Sequence, residues 1–512
     1  MADPIARKSL KSDAVFRSLL TAVCFAALAT TVLSHASPGL SLSPDSAFYI
    51  SAAENLMAGR GLVDYTLTKM TVFPPGTSLG LAALLPLTGN ANSAFILLNL
   101  LAAGVLAVSL TGVLTEMRSS RLTAMVSTAL VALAPCMHSM FLAALSEPLF
   151  IGLTVAFVWA ALIWLRRASA SITTMVSLVL VGWALCLTRY TGIVIVLPVL
   201  LTCALIQRHR RGSRHAVALS VGLFVSIGLA PVSWLYSNFV ATGLAAGERL
   251  GSADGLLISA ARAVQTLYLW LTIVPTRFDS VLAPLALALA GWAVTSGLWH
   301  LHRQDRASFD VSLLPIATAL VYVVTVVVLA SLTNIDPVGH RLLSPALPLL
   351  AAGVVPPVST LLAQWRTTPA RLTVGLWGLA ALWVAIAVAV NVRTATRALT
   401  AEADDRSAIL DYCLAYPFEP DAVFLSNHPY SVYLYTGLQP VRTSPRSAAW
   451  NSDSPVDDVP ATTAYVAGRP AYLVWIGPES GLSIPPSDLT DIRTSEIATL
   501  DDGVLYSVTV TE

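Results

Sequence analysis

The sequence predicts an all-α polytopic membrane protein of about eleven transmembrane helices, followed by a C-terminal extracytoplasmic α/β domain. Three observations predict it. Hydrophobic residues make up 55% of the 512-residue chain and charged residues only 12%, with a mean hydropathy of +0.71. Soluble globular chains carry about 25% charged residues, so a soluble multidomain enzyme, a disordered chain and a coiled coil are excluded. Apolar runs of about 20 residues, the length that crosses hydrocarbon, recur along positions 1–392. Positions 393–512 instead hold 16 of the 29 acidic residues. The net charge of +1 leaves no global basic field to attract nucleic acid.

In chain order the predicted spans are 16–36, 91–114, 122–140, 142–165, 172–188, 190–207, 216–236, 281–300, 312–332, 342–362 and 372–392. The first ends Ser34-His35-Ala36-Ser37, like a signal peptide, but its apolar core exceeds the usual h-region of about 7–15 residues. It is read as a retained helix. A cytoplasmic N-terminus puts 16 of the 30 basic residues on the inner side. Seven fall outside (Arg60, Lys69, Arg189, Arg249, Arg262, Arg277 and Arg341), and the remaining seven lie in the tail. That asymmetry sets the orientation, and an odd number of spans then places the tail outside.

The transmembrane domain, 1–392, includes a first outer loop, 37–90, with interfacial helices, and a second outer loop at about 237–280. In the tail, Asp421–Ser426, Ala471–Ile476 and Gly503–Val510 read as strands, and Ala401–Tyr416 and Pro429–Thr436 as helices. No internal repeat is found. The five cysteines lack metal spacing, and only Cys413 lies in a polar segment, so disulfides are not part of the design.

The first outer loop is the most informative segment. Ser43-Pro44 is a helix start, a capping hydroxyl followed by proline at the first helical position, and Gly59 and Gly61 mark the end. Asp45 therefore sits in the first turn of a short surface helix. Two readings stand: it complements the helix dipole, or it does chemistry. After Lys69 comes Pro74-Pro75-Gly76 and the apolar run Thr77–Leu87, too short to span and so interfacial.

The order of a first helix, D-x-x-x-Y-x-x-x-A-x-x-L-x-x-G-x-G from Asp45 to Gly61, P-P-G and a short helix resembles the polytopic glycosyltransferases of the GT-C fold. Within that group it is most similar to bacterial relatives of the protein O-mannosyltransferases and lipid A aminoarabinose transferases. Three outer segments agree: Ser146-Glu147-Pro148-Leu149-Phe150 at the fourth span, Leu187-Thr188-Arg189-Tyr190-Thr191-Gly192 between the fifth and sixth, and His340-Arg341-Leu342-Leu343-Ser344-Pro345 at the tenth. The resemblance covers residues 1–400.

It implies a sugar donor on a polyprenyl phosphate, an acceptor that is a cell-envelope glycan, lipid or protein, and a place in the bacterial inner membrane. It also implies that Asp45 is the catalytic base of an inverting transfer. A base takes the proton of an acceptor hydroxyl as that oxygen attacks the anomeric carbon, while fixed cations stabilise the departing phosphate. Arg341, Arg189 and Lys69 are at the outer boundary, where they either hold phosphate or anchor at the interface. Glu147 either caps its helix or orients Asp45 or an acceptor hydroxyl. His340 is a second phosphate or sugar contact or an exposed loop histidine, and Tyr49 and Tyr190, carried by the same motifs, count with the substrate-binding residues. Many members carry paired acids where this chain has Asp45-Ser46, so no metal is assigned, divalent metal dependence has no support, and no cofactor is expected.

The alternative function is a transporter or flippase for a lipid-linked sugar with a periplasmic tail. It calls for polar residues along a mid-helix path, whereas these spans keep most of their charges at the outer ends. A purely structural protein has no use for so long a first loop.

Overall fold

The computed structural model describes all residues except 1–3, 35–38, 167–170, 212–213, 248–250, 253, 273–278, 334, 365–381, 394–395, 397–406, 444–458, 478–483, 485, 487–488, 490–491 and 511–512. From the N-terminus run α1 (Pro4–Ser34), the first-loop helices α2 (Pro44–Met57) and α3 (Gly76–Thr88), then α4 (Ala91–Glu116), α5 (Arg121–Ala132) and α6 (Pro135–Phe141). The middle of the chain forms α7 (Glu147–Arg166), α8 (Ile172–Thr188), α9 (Gly192–Arg211), α10 (Arg214–Thr242), α11 (Leu256–Thr272) and α12 (Asp279–Gln304). It continues through α13 (Arg306–Leu332), α14 (His340–Leu343), α15 (Ala346–Gln364) and α16 (Leu382–Arg393).

Among the described residues, seven helices are long and apolar enough to cross a membrane, or eight if the bent pair α5 and α6 counts as one. Large apolar side chains at helical spacing (Leu197, Leu201 and Leu205 on α9; Val221, Val225 and Leu229 on α10) face outward, as lipid-facing stripes do. Lipid tails are as apolar as leucine, so helix association rests on close packing. Between α4 and α7 small residues permit it: a Cβ on Gly152 would lie 3.0 Å from the Ala102 carbonyl oxygen, and one on Gly112 2.3 Å from the Trp159 ring. Gly112→Ala is expected to lower the thermal unfolding midpoint by an overpacking cost of about 1–3 kcal/mol; an unchanged midpoint would show that Trp159 repacks freely.

The structure corrects several expected elements. The span 122–140 is two helices bent by 51°. Pro135 at the first position of α6 provides no N–H and turns the preceding residue away from α geometry. Groups freed at the break and at the end of α6 find partners, as an apolar medium requires: His138 Nε2 lies 2.8 Å from Ala132 O at the break, and Asn99 Nδ2 donates to the carbonyls of Phe141 at 3.0 Å and Ala143 at 3.1 Å past it. Span 342–362 is likewise two pieces, α14 and α15. The second outer loop contains a 17-residue amphipathic helix, α11, with Ser259, Ala263, Thr266 and Trp270 on its buried face. Positions 372–381 of the last expected span lie outside the described residues.

The tail is an α/β unit of α17 (Ala408–Ala415), β1 (Val423–Ser426), α18 (Pro429–Thr436), β2 (Val441–Thr443), α19 (Val459–Val466), β3 (Ala471–Ile476), β4 (Ile492–Leu500) and β5 (Gly503–Val510). Its sheet has the order β2-β1-β3-β5-β4, with β1 parallel to β2 and β3, and β5 antiparallel to β3 and β4. The expected strands and α18 are present; β2 and β4 are additions. β2 is three residues long, and in β4 the apolar Ile492, Ile497 and Leu500 are separated by the polar run Arg493–Glu496 and a register shift between Glu496 and Ala498, so no period-two pattern shows. The expected helix Ala401–Tyr416 begins at Ala408 because Ser407 Oγ caps it, accepting from Leu410 N–H at 3.4 Å; positions 401–406 lie outside the described residues. One sheet face packs under α17 and α18, and that cluster continues into Ala47, Tyr49, Ile50, Tyr65 and Phe95 of the membrane domain. Tyr433 on α18 seals the contact: it stacks on Tyr65 at 5.7 Å and its hydroxyl donates to Glu54 at 2.7 Å.

Candidate active site

Asp45 owes its position to the start of α2. Ser43 N–H donates to Ser46 Oγ at 2.9 Å, closing a reciprocal cap with Pro44 at the first helical position. Ser46 Oγ in turn donates to Ala144 O at 2.8 Å, and Ser41 exchanges backbone hydrogen bonds with Leu142 and Ala144. The entry to α2 is thus pinned against the segment that leads into α7, so Asp45 and Glu147, each in the first turn of its helix, come to the same place.

Two cations meet them. Arg189 caps the C-terminus of α8 in extended conformation. Glycines bring that end close to its neighbours: a Cβ on Gly76 of the P-P-G turn would lie 2.6 Å from Leu187 O, and one on Gly192 2.7 Å from Leu185 O. Arg189 Nη1 reaches Glu147 Oε1 at 2.6 Å and Ser146 Oγ at 3.0 Å. Arg341, in α14, spreads its guanidinium over three carboxylates: Nε to Glu147 Oε1 at 2.7 Å, Nη1 to Asp336 Oδ2 at 2.5 Å, and Nη2 to Asp45 Oδ2. Ser146 Oγ accepts from Tyr49 Oη at 3.1 Å and donates to Glu147 Oε2 at 3.4 Å.

With every acid ionised the group holds three negative charges and two positive. Glu147 is 1% exposed and survives there because two guanidiniums grip one carboxylate. Asp45 is partly open to solvent. Burial raises the pKa of its carboxyl, and the Arg341 guanidinium pulls against that shift without cancelling it. A carboxylate so placed is a better proton acceptor than an ordinary aspartate.

The structure joins Asp45, Arg341, Glu147, Arg189 and Tyr49 in one network. Tyr49 is buried beneath it, where burial raises the pKa of its phenol, so it orients Ser146 and is closed to a substrate. Lys69 and Tyr190 form a second group: Lys69 Nζ donates to Ser237 O at 2.9 Å and Oγ at 2.7 Å and lies 5.5 Å from the Trp234 ring centroid. Trp234 Nε1 donates to Tyr190 Oη at 3.2 Å, and that hydroxyl donates to Thr71 O at 2.8 Å. His340 is exposed, as one of the two readings had it, but it opens the short helix α14 rather than lying in a loop. Its Nδ1 accepts from Trp270 Nε1 at 3.0 Å, and burial lowers its pKa, which keeps the ring neutral as that bond requires. Beside it lies a cavity of about 390 Å³ under α1, α6 and α11.

Sequence reasoning missed Asp336. Its only local signal is the Asp336-Pro337 pair five residues before Arg341. Among the described residues, no three of His, Cys, Asp and Glu are grouped so as to hold a metal ion.

No family profile and no curated protein sequence matches the chain. Solved structures do. The chain is similar to ArnT from Cupriavidus metallidurans bound to undecaprenyl phosphate, with a TM-score of 0.56 at 14% identity, over 97% of this chain and 98% of that one. The apo state of ArnT gives 0.55 at 16% identity, over 98% of both chains. The archaeal oligosaccharyltransferase AglB from Archaeoglobus fulgidus, in complex with an inhibitory peptide and a dolichol-phosphate, gives 0.50 at 10% identity, over 88% of this chain and 69% of that one. The chain therefore has the GT-C fold.

Proposed function

We propose that this chain is an inverting membrane glycosyltransferase, moving a sugar from a polyprenyl-phosphate donor to an acceptor hydroxyl on the outer side of the membrane. The observation that carries the reading is Arg341, which holds the Asp45 and Glu147 carboxylates together at the outer helix ends. The ligands of the structural neighbours, undecaprenyl phosphate for ArnT and dolichol-phosphate for AglB, support a lipid-phosphate donor.

In this mechanism Asp45 accepts the proton of the acceptor hydroxyl as the oxygen bonds to the anomeric carbon. The bond from that carbon to the phosphate oxygen breaks on the opposite face, and polyprenyl phosphate departs with the electron pair. The leaving group needs no general acid, only cationic stabilisation, which Arg341 supplies, with Lys69 as a second contact. Arg189 and Glu147 are positioning residues that fix the plane of the Arg341 guanidinium. The tail, 393–512, closes over α2 through Tyr433 and contacts the acceptor, a cell-envelope glycan, lipid or protein. The test is reconstituted protein supplied with a polyprenyl-phosphate sugar and candidate acceptors: a glycosidic product is expected, and transbilayer movement of the lipid without one would overturn the reading.

The proposed topology has eleven spans, adding the shorter α8, α15 and α16 to the eight, with the N-terminus cytoplasmic and the tail outside. It is supported by the 16-to-7 basic asymmetry. All five native cysteines are buried, so background labelling is low. An impermeant thiol reagent on intact cells is expected to mark a cysteine introduced at Ser495 and to spare one at Ser9; the reverse pattern would invert the orientation.

A further inference from the structure

We infer that Asp336 is a releasable placeholder for the lipid phosphate: its carboxylate holds Nη1 of Arg341 until the phosphate of the donor displaces it, and competes for that nitrogen again when the product must leave. The inference rests on the reading of the chain as a polyprenyl-phosphate-dependent transferase, and adds a residue that sequence motifs did not supply.

Three carboxylates share one guanidinium, and they are unequal. Glu147 is 1% exposed and shared with Arg189, Asp45 is 22% exposed, and Asp336 is 51% exposed. An ion pair that open to water is worth little, and among the described residues Asp336 has no other cation. Glu147 cannot let go without taking from Arg189 its carboxylate partner and from Arg341 its buried one, and Asp45 must stay oriented for the proton. Asp336 is the ligand that can yield. Its departure frees Nη1 alone, while Nε and Nη2 keep Glu147 and Asp45 in place. One guanidinium then positions the base and meets the phosphate at once, a use of its fixed fork of five donors that a lysine has no means to reproduce.

Charge gives the placeholder its second role. The network carries three negative charges against two positive, so a further anion enters at a penalty unless one carboxylate withdraws. The transfer converts a phosphodiester with one negative charge into a phosphomonoester, which carries about −1.5 to −2 at pH 7. The product therefore holds Arg341 more tightly than the donor does. A tethered carboxylate five residues away competes for the same nitrogen and shortens the stay of the product.

The test uses the full chain in nanodiscs, titrated with undecaprenyl phosphate and, as a control lacking the anion, undecaprenol. Asp336→Asn and Asp336→Ala are each expected to tighten undecaprenyl phosphate binding by about fivefold, the scale of an exposed ion pair, and Asp336→Glu to stay within about twofold of wild type. Undecaprenol binding is expected to be unchanged in all three. A merely structural role would weaken both ligands and lower the unfolding midpoint. Neutral variants that bind the phosphate no better than wild type, while wild type still prefers it to undecaprenol, overturn the placeholder alone. Wild-type protein that does not distinguish undecaprenyl phosphate from undecaprenol overturns the lipid-phosphate reading and the placeholder together.

Discussion

Asp45→Asn is expected to reduce turnover by about 10²–10⁴-fold, the contribution of a positioned general base, with a small change in thermal stability. The amide keeps the shape of the carboxylate at a helix start that Ser43, Pro44 and Ser46 hold independently. It loses one charged contact to Arg341, but that pair is partly exposed, and its contribution is screened. The measurement is glycosyl transfer in reconstituted vesicles, with folding followed by thermal unfolding. A variant retaining more than about a tenth of the wild-type rate falls outside the range of a general base and would move the base elsewhere. The pH profile carries the same assignment. Only the ionised carboxylate accepts a proton, so the rate falls as pH drops through the Asp45 pKa. Because burial holds that pKa above the ordinary aspartate value, the acid limb is expected above the usual aspartate range. A limb within or below that range would exclude Asp45.

Glu147→Gln is expected to be the most destabilising single change at the site. Glu147 is 1% exposed and receives Arg189 at 2.6 Å and Arg341 at 2.7 Å. Removing its charge leaves two guanidiniums facing a neutral amide in a desolvated place, and breaking a buried pair by removing one partner costs about 3–5 kcal/mol. Activity is expected to fall with the fold, because Arg341 loses the contact that orients it toward Asp45. Glu147→Asp keeps the charge and shortens its reach, so it should recover part of the stability. A Gln variant with a wild-type unfolding midpoint would show that Asp45 and Asp336 on Arg341 and Ser146 on Arg189 suffice, and that Glu147 is only a first-turn acid.

Hydropathy, proline and glycine made much of this architecture legible. Each apolar helix but α11 lies close to an expected run because crossing hydrocarbon is a property of about twenty consecutive residues. Ser43-Pro44 and Pro74-Pro75-Gly76 marked the starts of α2 and α3 because caps and rigid turns are local chemistry. The bend before Pro135 was legible in principle, yet the apolar run passes through it, and periodicity alone reads straight on. β4 was hidden because a polar run, Arg493–Glu496, and a register shift break the alternation between its apolar Ile492, Ile497 and Leu500, and its ladder with β5 supplies what its pattern lacks.

The site divides along the same line. The sequence by itself determined the run of apolar helices and the first-turn placement of Asp45 and Glu147, since these depend on residues within a turn or a span of one another. Only the tertiary structure decided who pairs with whom. Arg341 meets Asp45 across 296 positions and Glu147 across 194, and Tyr49 meets Ser146 across 97. It also separated Lys69 from the carboxylates, placed Tyr49 beneath the site, and brought Asp336 onto a guanidinium already shared by two acids. Such pairings depend on how helix ends converge, through backbone approaches such as Gly76 on Leu187 and Gly192 on Leu185. No local window contains that convergence, because it arises from the packing of helices far apart in the chain.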